Sequence, residues 1–244
     1  NQAATNDFFS RGNAPSTCVA VGANAYAGNA ADLRSISNPA GQHLDASVLN
    51  TTRGTRFCSI QAAINDAATQ AGDEITVGAG SYSENVIVNK GVVLQGPFAG
   101  TPGHDASRTG AGEAVISPAT GRAVRINATN VRFDGFTIEN VNDSAIVSGG
   151  NYGGGSTNVD VINNRVIDVH SGSGLYTNGD PLTGRVLDWT VSDNLFRNIN
   201  SASGSGINLW KATGGTINGN RIENSGFGGI QLNSSIDIEI TGNH

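Results

Sequence analysis

The sequence predicts an all-β fold, a parallel β-helix in which short strands wind into stacked coils. Three observations support it: two or three short strands recur from about residue 131, the repeat is about 23 to 32 residues long, and apolar residues return at the same places. A strand-built period of about 20–50 residues indicates a solenoid or a propeller. A propeller blade needs four strands and about 40–45 residues, so this shorter unit favours a coil.

The repeat also predicts which residues face the interior. Alternate residues of a strand point to opposite sides, so apolar residues at equivalent positions should stack from coil to coil. Three such columns are Phe133, Val161, Val191, Ile217 and Ile240; Ile138, Val166, Phe196 and Ile222; and Ile146, Leu175, Ile207 and Ile230. Burying them continuously contributes about 25 cal/mol per Å² of apolar surface.

Asparagine and glycine are in excess, with 34 Gly and 28 Asn in 244 residues. Both residues accept left-handed backbone, which the corners between strands need. Stacked Asn side chains can also bond to one another and to backbone along the coil axis. A structural ladder is therefore predicted at Asn164, Asn194, Asn220 and Asn243.

The chain divides into three parts. Residues 1–57 are expected to be an irregular segment with a strand near 18–22, residues 58–72 a helix, and residues 73–244 the coils. Ser59 is the expected N-cap and Gly72 the expected end of the helix, whose apolar stripe must lie on another element. Further strands are expected at Glu74–Val77, Asn85–Val88, Val92–Leu94, Ala114–Ser117, Ala123–Ile126 and Val131–Phe136.

The chain has two cysteines, Cys18 and Cys58. In a secreted protein they would form one disulfide that closes a long loop in the N-terminal part, where such a link stabilises most. Two buried free thiols are the alternative. The chain begins at Asn1 without a methionine, and its last repeat stops at His244, which predicts a processed N-terminus and a β-helix interrupted in mid-repeat.

The stretch from Cys58 to Gly96 resembles the N-terminal entry of the pectate-lyase-like right-handed parallel β-helix superfamily. The resemblance lies in Ser59–Ile64 (Ser-Ile-Gln-Ala-Ala-Ile), Gly72–Val77, Gly80–Val86 and Val92–Gly96, and the later repeats extend it to roughly 58–244. It implies a right-handed solenoid whose open end is capped by the helix. Members of this superfamily include polysaccharide lyases, hydrolases, esterases and epimerases, as well as adhesins without known catalysis.

The motifs of those enzymes are largely absent. Residues 121–125 echo one strand of the pectin methylesterases, but the Asp-containing strand is missing, as are the polygalacturonase clusters and the Arg-x-Pro-x-x-Arg pattern. A lysine base would fall on Lys211, whose alternative is an ordinary solvated lysine. A His170–Asp168 pair could act as acid and base, but Asp168 occupies a repeat position held elsewhere by Asn140, Asn198 and Asn224, which favours a structural corner.

Composition excludes several partners and cofactors. A net charge of −6 with two lysines argues against nucleic acid, and no apolar run approaches the ~18 residues of a membrane span. Zinc spacing is absent, so no cofactor is predicted. Ca²⁺ remains a candidate at Asp180, Asp188 and Asp193.

The most suggestive feature is one outward strand face. The apolar column of Ile146 is flanked by Val147, Tyr176, Asn208 and Gln231, and two residues further by Asn178, Trp210 and Asn233. Sugars bind aromatic faces by apolar contact and amides by hydrogen bonds. The predicted substrate-binding residues are Tyr176, Asn208, Trp210, Lys211, Gln231 and Asn233, with Tyr152 at their flank; an ordinary polar sheet face is the alternative.

Two functions follow. The first is a secreted or cell-surface protein that engages an extracellular polysaccharide, with a lyase or related enzyme as one form of it and no catalytic residue identified. The second is a non-catalytic structural or adhesive rod; a virion tail component is a weaker third. An exposed last coil would favour end-to-end or lateral self-association, because it leaves strand edges unpaired.

Overall fold

The computed structural model describes residues 47–149, 155–179 and 186–244. In these residues three sheets run along the chain as the three sides of a coil. Each coil contributes one strand to sheet A, then one to sheet B, then one to sheet C, and each strand pairs in parallel with its equivalent in the next coil. The architecture is the predicted parallel β-helix.

The described N-terminal part is a hairpin followed by a short helix. Strands β1 (Val48–Asn50) and β2 (Thr55–Phe57) pair antiparallel, and β1 continues antiparallel onto the first coil strand. The expectation of irregular structure up to residue 57 is therefore wrong for this stretch. Residues 1–46, with the expected strand near 18–22, lie outside the described residues.

The helix α1 spans Ile60–Asn65 and is much shorter than the predicted 58–72. Ser59 caps it as expected, since its Oγ accepts from the backbone N–H of Ala62 at 3.1 Å. The Lys90 ammonium, reaching over from the coils, donates to the carbonyls of Asp66 and Thr69 at 2.7 and 2.8 Å. These carbonyls thus find their partner outside the helix, and the chain turns where the apolar pattern alone would have continued.

The parallel strands of sheet A are three to seven residues long. They are β3 (Glu74–Val77), β6 (Val93–Gln95), β9 (Val131–Asp134), β12 (Ser156–Ile162), β15 (Val186–Ser192), β18 (Ala212–Asn218) and β21 (Glu239–Thr241). The longest are β12, β15 and β18. The predicted strands at 74–77, 85–88, 92–94, 114–117, 123–126 and 131–136 all occur, with ends shifted by up to two residues.

Sheets B and C supply the other two sides. Sheet B contains β4 (Gly80–Tyr82), β7 (Ala114–Ile116), β10 (Thr137–Val141), β13 (Arg165–Val169), β16 (Leu195–Ile199) and β19 (Arg221–Ser225). Sheet C contains β5 (Val86–Val88), β8 (Val124–Ile126), β11 (Ile146–Gly149), β14 (Leu175–Asn178), β17 (Ser205–Trp210) and β20 (Gly228–Asn233). Strand β4 was not predicted, because the sequence Gly-Ser-Tyr resembles a turn. Among the described strands, β4 pairs with β7.

The interior consists of the predicted apolar columns. Phe133, Val161, Val191 and Ile217 are in register and fully buried, whereas Ile240 in the last described coil is 44% exposed. The other two columns behave in the same way, with Ile222 and Ile230 only partly buried at that end. Coil-on-coil stacking is therefore what removes these side chains from water.

The four predicted asparagines form a hydrogen-bonded column at the corner between sheets A and B. The Oδ1 of Asn194 accepts from the backbone N–H of Asn164 at 2.8 Å and from its Nδ2 at 3.2 Å. In turn, Asn194 Nδ2 donates to the carbonyl of Val161 and to Oδ1 of Asn220 at 2.8 and 2.9 Å. The same pattern joins Asn220 to Asn243, so each side chain satisfies buried backbone of the preceding coil.

The left-handed backbone at this corner lies one residue earlier than expected. Positive φ occurs at Asn163, Asp193 and Gly219, whereas the ladder asparagines themselves have ordinary backbone. The preceding residue makes the turn, and the ladder asparagine then points its side chain inward. Turn formation and hydrogen bonding are thus divided between two adjacent residues.

A long connection between β6 and β7, residues 97–113, crosses the same corner and is here named the strap. Its backbone N–H groups reach Asp134 Oδ1 from Gly100 at 3.1 Å and the Asp193 carbonyl from Gly103 at 2.7 Å. Arg108 donates to the carbonyl of Phe136 and forms a fully buried ion pair with Glu113 at 2.7 Å. The strap therefore ties three successive coils together along the ladder corner.

The hairpin is fixed to the first coil through the buried carboxylate of Asp73. It accepts from Asn50 Nδ2 at 3.0 Å, from the backbone N–H of Gln70 at 3.1 Å, and from two guanidinium nitrogens of Arg53 at 2.8 and 2.9 Å. The hydrogen bonds and charge of Arg53 hold the pKa of Asp73 well below its usual range. The ionised carboxylate is consequently the form that stabilises the fold.

Substituting Asn194 by Leu is expected to lower the free energy of unfolding by about 3 kcal/mol. The change leaves the Asn164 N–H groups and the Val161 carbonyl buried without partners, at a cost of about 1–3 kcal/mol each before relaxation. Chemical denaturation measures it. The matched control is Asn243→Leu, which acts at the exposed end and should cost less than about 1 kcal/mol; equal losses would contradict a role for ladder burial.

Asp73→Asn is expected to destabilise the protein at pH 7 by about 1–3 kcal/mol and to flatten its acid sensitivity. Because the folded pKa of Asp73 is lowered, its stabilisation is complete above the ordinary value of 3.8 and is lost as the pH falls through and below it. Urea midpoints at pH 7 and pH 3 measure both effects. Glu74→Gln, at an exposed neighbouring carboxylate, is the control and should change neither; an unaltered pH dependence in Asp73→Asn would contradict the assignment.

Candidate functional site

The outer side of sheet C carries the predicted binding residues in register. Tyr176, Asn208 and Gln231 pair as neighbours across β14, β17 and β20. A second row, two residues further along each strand, is formed by Asn178, Trp210 and Asn233. We call these six residues the amide–aromatic face. Their inward neighbours Leu175, Ile207 and Ile230 belong to the core column, which directs the six outward.

The face begins at β14. Val147, which sequence reasoning placed at the head of the first row, is fully buried and offers no surface to a ligand. Trp210 is 42% exposed and is the large apolar side chain that this face presents. The other five side chains are half-buried, so they can contact a ligand while remaining packed against their neighbours.

Lys211 lies beside the face, not on it. It follows β17 at the corner to sheet A, has a left-handed backbone with φ 56°, and donates its backbone N–H to the Asn233 carbonyl at 2.8 Å. Its side chain is exposed. Lys211 therefore lies at the rim of the face, next to Trp210 in sequence, and its backbone forms the corner.

The amides of the face are joined in a directed chain of hydrogen bonds. Ser205 Oγ donates to Gln231 Oε1 at 3.2 Å, Gln231 Nε2 donates weakly to Asn233 Oδ1 at 3.5 Å, and Asn233 Nδ2 donates to Asn208 Oδ1 at 3.1 Å. The amide oxygens of Gln231, Asn233 and Asn208 therefore each accept one hydrogen bond from within the protein. The buried Ser205 that starts this series of hydrogen bonds was missed by sequence reasoning, although a serine two residues before the inward apolar residue, as in Ser173–Leu175 and Ser205–Ile207, was the available signal.

Asp168 has the structural environment that its repeat position indicated. It adopts φ 58° in a column of left-handed residues with Asn140, Asn198 and Asn224, and its Oδ1 accepts from Asn198 Nδ2 at 2.8 Å. Asn224 donates in the same way to Asn198 at 3.1 Å. His170 is exposed at the end of the same strand.

The candidate calcium ligands are only partly described. Asp188 and Asp193 lie at two separate left-handed positions, one within β15 and one just after it. Asp180 and Tyr152 lie outside the described residues, and among the described ones no three His, Cys, Asp or Glu side chains gather as metal ligands. The calcium site stays a prediction, as does the Cys18–Cys58 disulfide, because Cys18 is also outside.

Stacked parallel coils with three strands each define a β-helix protein. The family model described as a right handed beta helix region matches residues 115–244, and the chain belongs to this family. This confirms the predicted right-handed parallel β-helix superfamily, without selecting a member within it.

Part of the chain is similar to a protein whose name places it at the cell surface. A segment of 95 residues is 34% identical to a protein named cell surface glycoprotein from Methanothermus fervidus; it covers 38% of this chain and 14% of that relative. No solved structure matches. Within the described part of the chain, helices lack the length and apolar character that crossing a membrane would require.

Proposed function

We propose that this chain is the β-helix part of a secreted or cell-surface protein and that it binds an extracellular polysaccharide through the amide–aromatic face. The observation that carries the proposal is the register of β14, β17 and β20, which aligns one exposed indole with a group of amides on an outer face. The name of the relative, a cell surface glycoprotein, supports the location.

The chemistry of the face suits an extended sugar chain. The indole of Trp210 offers a flat apolar surface to the C–H groups of a sugar ring. Asn208, Gln231 and Asn233 offer amide groups that hydrogen-bond to substituents at the ring edges. Neighbouring strands lie about 4.8 Å apart, so the three strands offer contacts over about 10 Å across the coils.

The N-terminal elements fit the same proposal. Ile60 and Ile64 of α1 pack into the core against the first coil, and β1 continues sheet A antiparallel. We assign to them the capping of the first coil, which would otherwise expose strand edges to other chains. A Cys18–Cys58 disulfide would secure this segment outside the cell.

A second candidate is a non-catalytic structural or adhesive rod. It is favoured by the continuity of the asparagine ladder and by the last described coil, which presents Phe227, Leu232, Ile236 and Ile240 at 38–62% exposure. Stacking against another coil would bury this surface. In this case the amide–aromatic face would be an ordinary polar side of the rod.

Trp210→Ala tests the first proposal. The parent protein is first screened against a panel of plant, fungal and bacterial polysaccharides. For each polymer that it binds, the variant is expected to bind at least about tenfold more weakly, because it lacks the flat apolar surface of the indole. Affinity electrophoresis measures the change. Phe227→Ala removes a more exposed aromatic side chain, in the turn between β19 and β20, and should leave binding intact.

Two results would redirect the assignment. Undiminished binding by Trp210→Ala would remove this face from the function, and a parent protein that binds no polymer but self-associates with increasing concentration would favour the rod. The absorbance of unsaturated uronate, followed in the acidic polymers, tests lyase activity in the same samples. A rise that Lys211→Gln abolishes would identify Lys211 as its base.

A further inference from the structure

The direction of the amide chain limits which ligand groups the face can receive. In the series of hydrogen bonds that runs from Ser205 through Gln231 and Asn233 to Asn208, each of the three amide oxygens accepts one hydrogen bond from a protein donor. The series ends at Asn208, whose two Nδ2 hydrogens have no acceptor among the described residues. Each of these oxygens keeps one lone pair, whereas both N–H hydrogens of Asn208 lack an acceptor within the described part of the chain, so the ligand group that matches Asn208 Nδ2 is a hydrogen-bond acceptor.

The charges nearby argue against a polyanion as the source of that acceptor. Strands β14, β17 and β20 contain no charged residue; among the described residues, Lys211 follows β17 at the rim, and Arg125 lies two strands before Tyr176 in the same outer row. The chain as a whole carries a net charge of −6, which repels polyanions at a distance. A neutral acceptor consequently fits the surroundings better than a carboxylate or a sulfate.

An apolar surface lies next to the free N–H groups. Trp210 is two residues beyond Asn208 on the same side of β17, about 7 Å along the strand. A ligand group with a carbonyl oxygen at one point and a methyl group at another can use both neighbours at once. The acetamido substituent of an N-acetylated sugar has this combination, whereas a hydroxyl group can accept the N–H but has no methyl group to place on the indole.

Resting on the proposed polysaccharide-binding function, we infer that the amide–aromatic face selects neutral glycans that carry acetamido groups. The acetamido carbonyl accepts from Asn208 Nδ2, and its methyl group packs against the indole of Trp210. Ser205, Gln231 and Asn233 act as positioning residues, because their hydrogen bonds keep the oxygen of Asn208 turned away from the ligand.

The test compares the binding affinities of three hexasaccharides whose sugar rings carry different substituents. N-acetylchitohexaose and cellohexaose share a β-1,4 backbone and differ in the acetamido group, while hexagalacturonate supplies carboxylates. Tryptophan fluorescence reports binding at Trp210, because the other tryptophan in the chain, Trp189, is 2% exposed. N-acetylchitohexaose is expected to bind at least about tenfold more tightly than either of the others.

Asn208→Asp tests whether the N–H groups of Asn208 bind the acetamido carbonyl. It keeps the oxygen that accepts from Asn233 and replaces the N–H groups by an acceptor, so N-acetylchitohexaose binding should fall by at least about tenfold. Asn218→Asp, at an exposed position on the outer side of sheet A, is the matched control and should bind as the parent does.

The outcomes separate the two proposals. Equal or tighter binding of cellohexaose or hexagalacturonate overturns the acetamido inference and leaves polysaccharide binding in place. Full binding by Asn208→Asp also overturns the inference. If none of the three sugars and no polymer of the wider panel binds, the proposed function fails as well.

Discussion

Parallel pairing in strict register between successive coils is the constraint on which the other features of this molecule depend. Since each strand lies opposite its equivalent one coil further on, a residue that recurs in sequence becomes a column in space. The buried Phe133–Val161–Val191–Ile217 column arises in this way. A slip by one residue would turn every inward side chain outward.

The same register explains which parts of the fold could be predicted. The core columns and the asparagine column recur at fixed intervals, so sequence alone placed them. The end of α1 could not be found in this way, because the chain leaves helical backbone at Asp66, whose carbonyl binds Lys90 from another element. Strand β4 was missed for a related reason, since its pairing partner β7 lies more than thirty residues further on.

The candidate site was predictable only as far as its register. Tyr176, Asn208 and Gln231 share a row because their strands repeat. Val147 is fully buried and Lys211 lies at a corner with a left-handed backbone, and the repeat pattern predicts neither property. The direction of the amide hydrogen bonds depends on Ser205, which is buried and occupies an inward position of its strand, where a binding residue is not expected.

The two asparagine columns point in opposite directions along the coil axis. At the sheet A–B corner, Asn164 donates one amide hydrogen to Asn194 in the next coil and the other to the Phe133 carbonyl in the preceding coil, so its bond to another asparagine runs toward the C-terminal coil. In the outer column, Asn198 and Asn224 direct theirs toward the N-terminal coil. The hydrogen bonds between side chains therefore run in opposite directions in the two columns. Each coil added to such a solenoid extends both columns by one bonded side chain, so the amide groups between coils stay paired however long the solenoid grows.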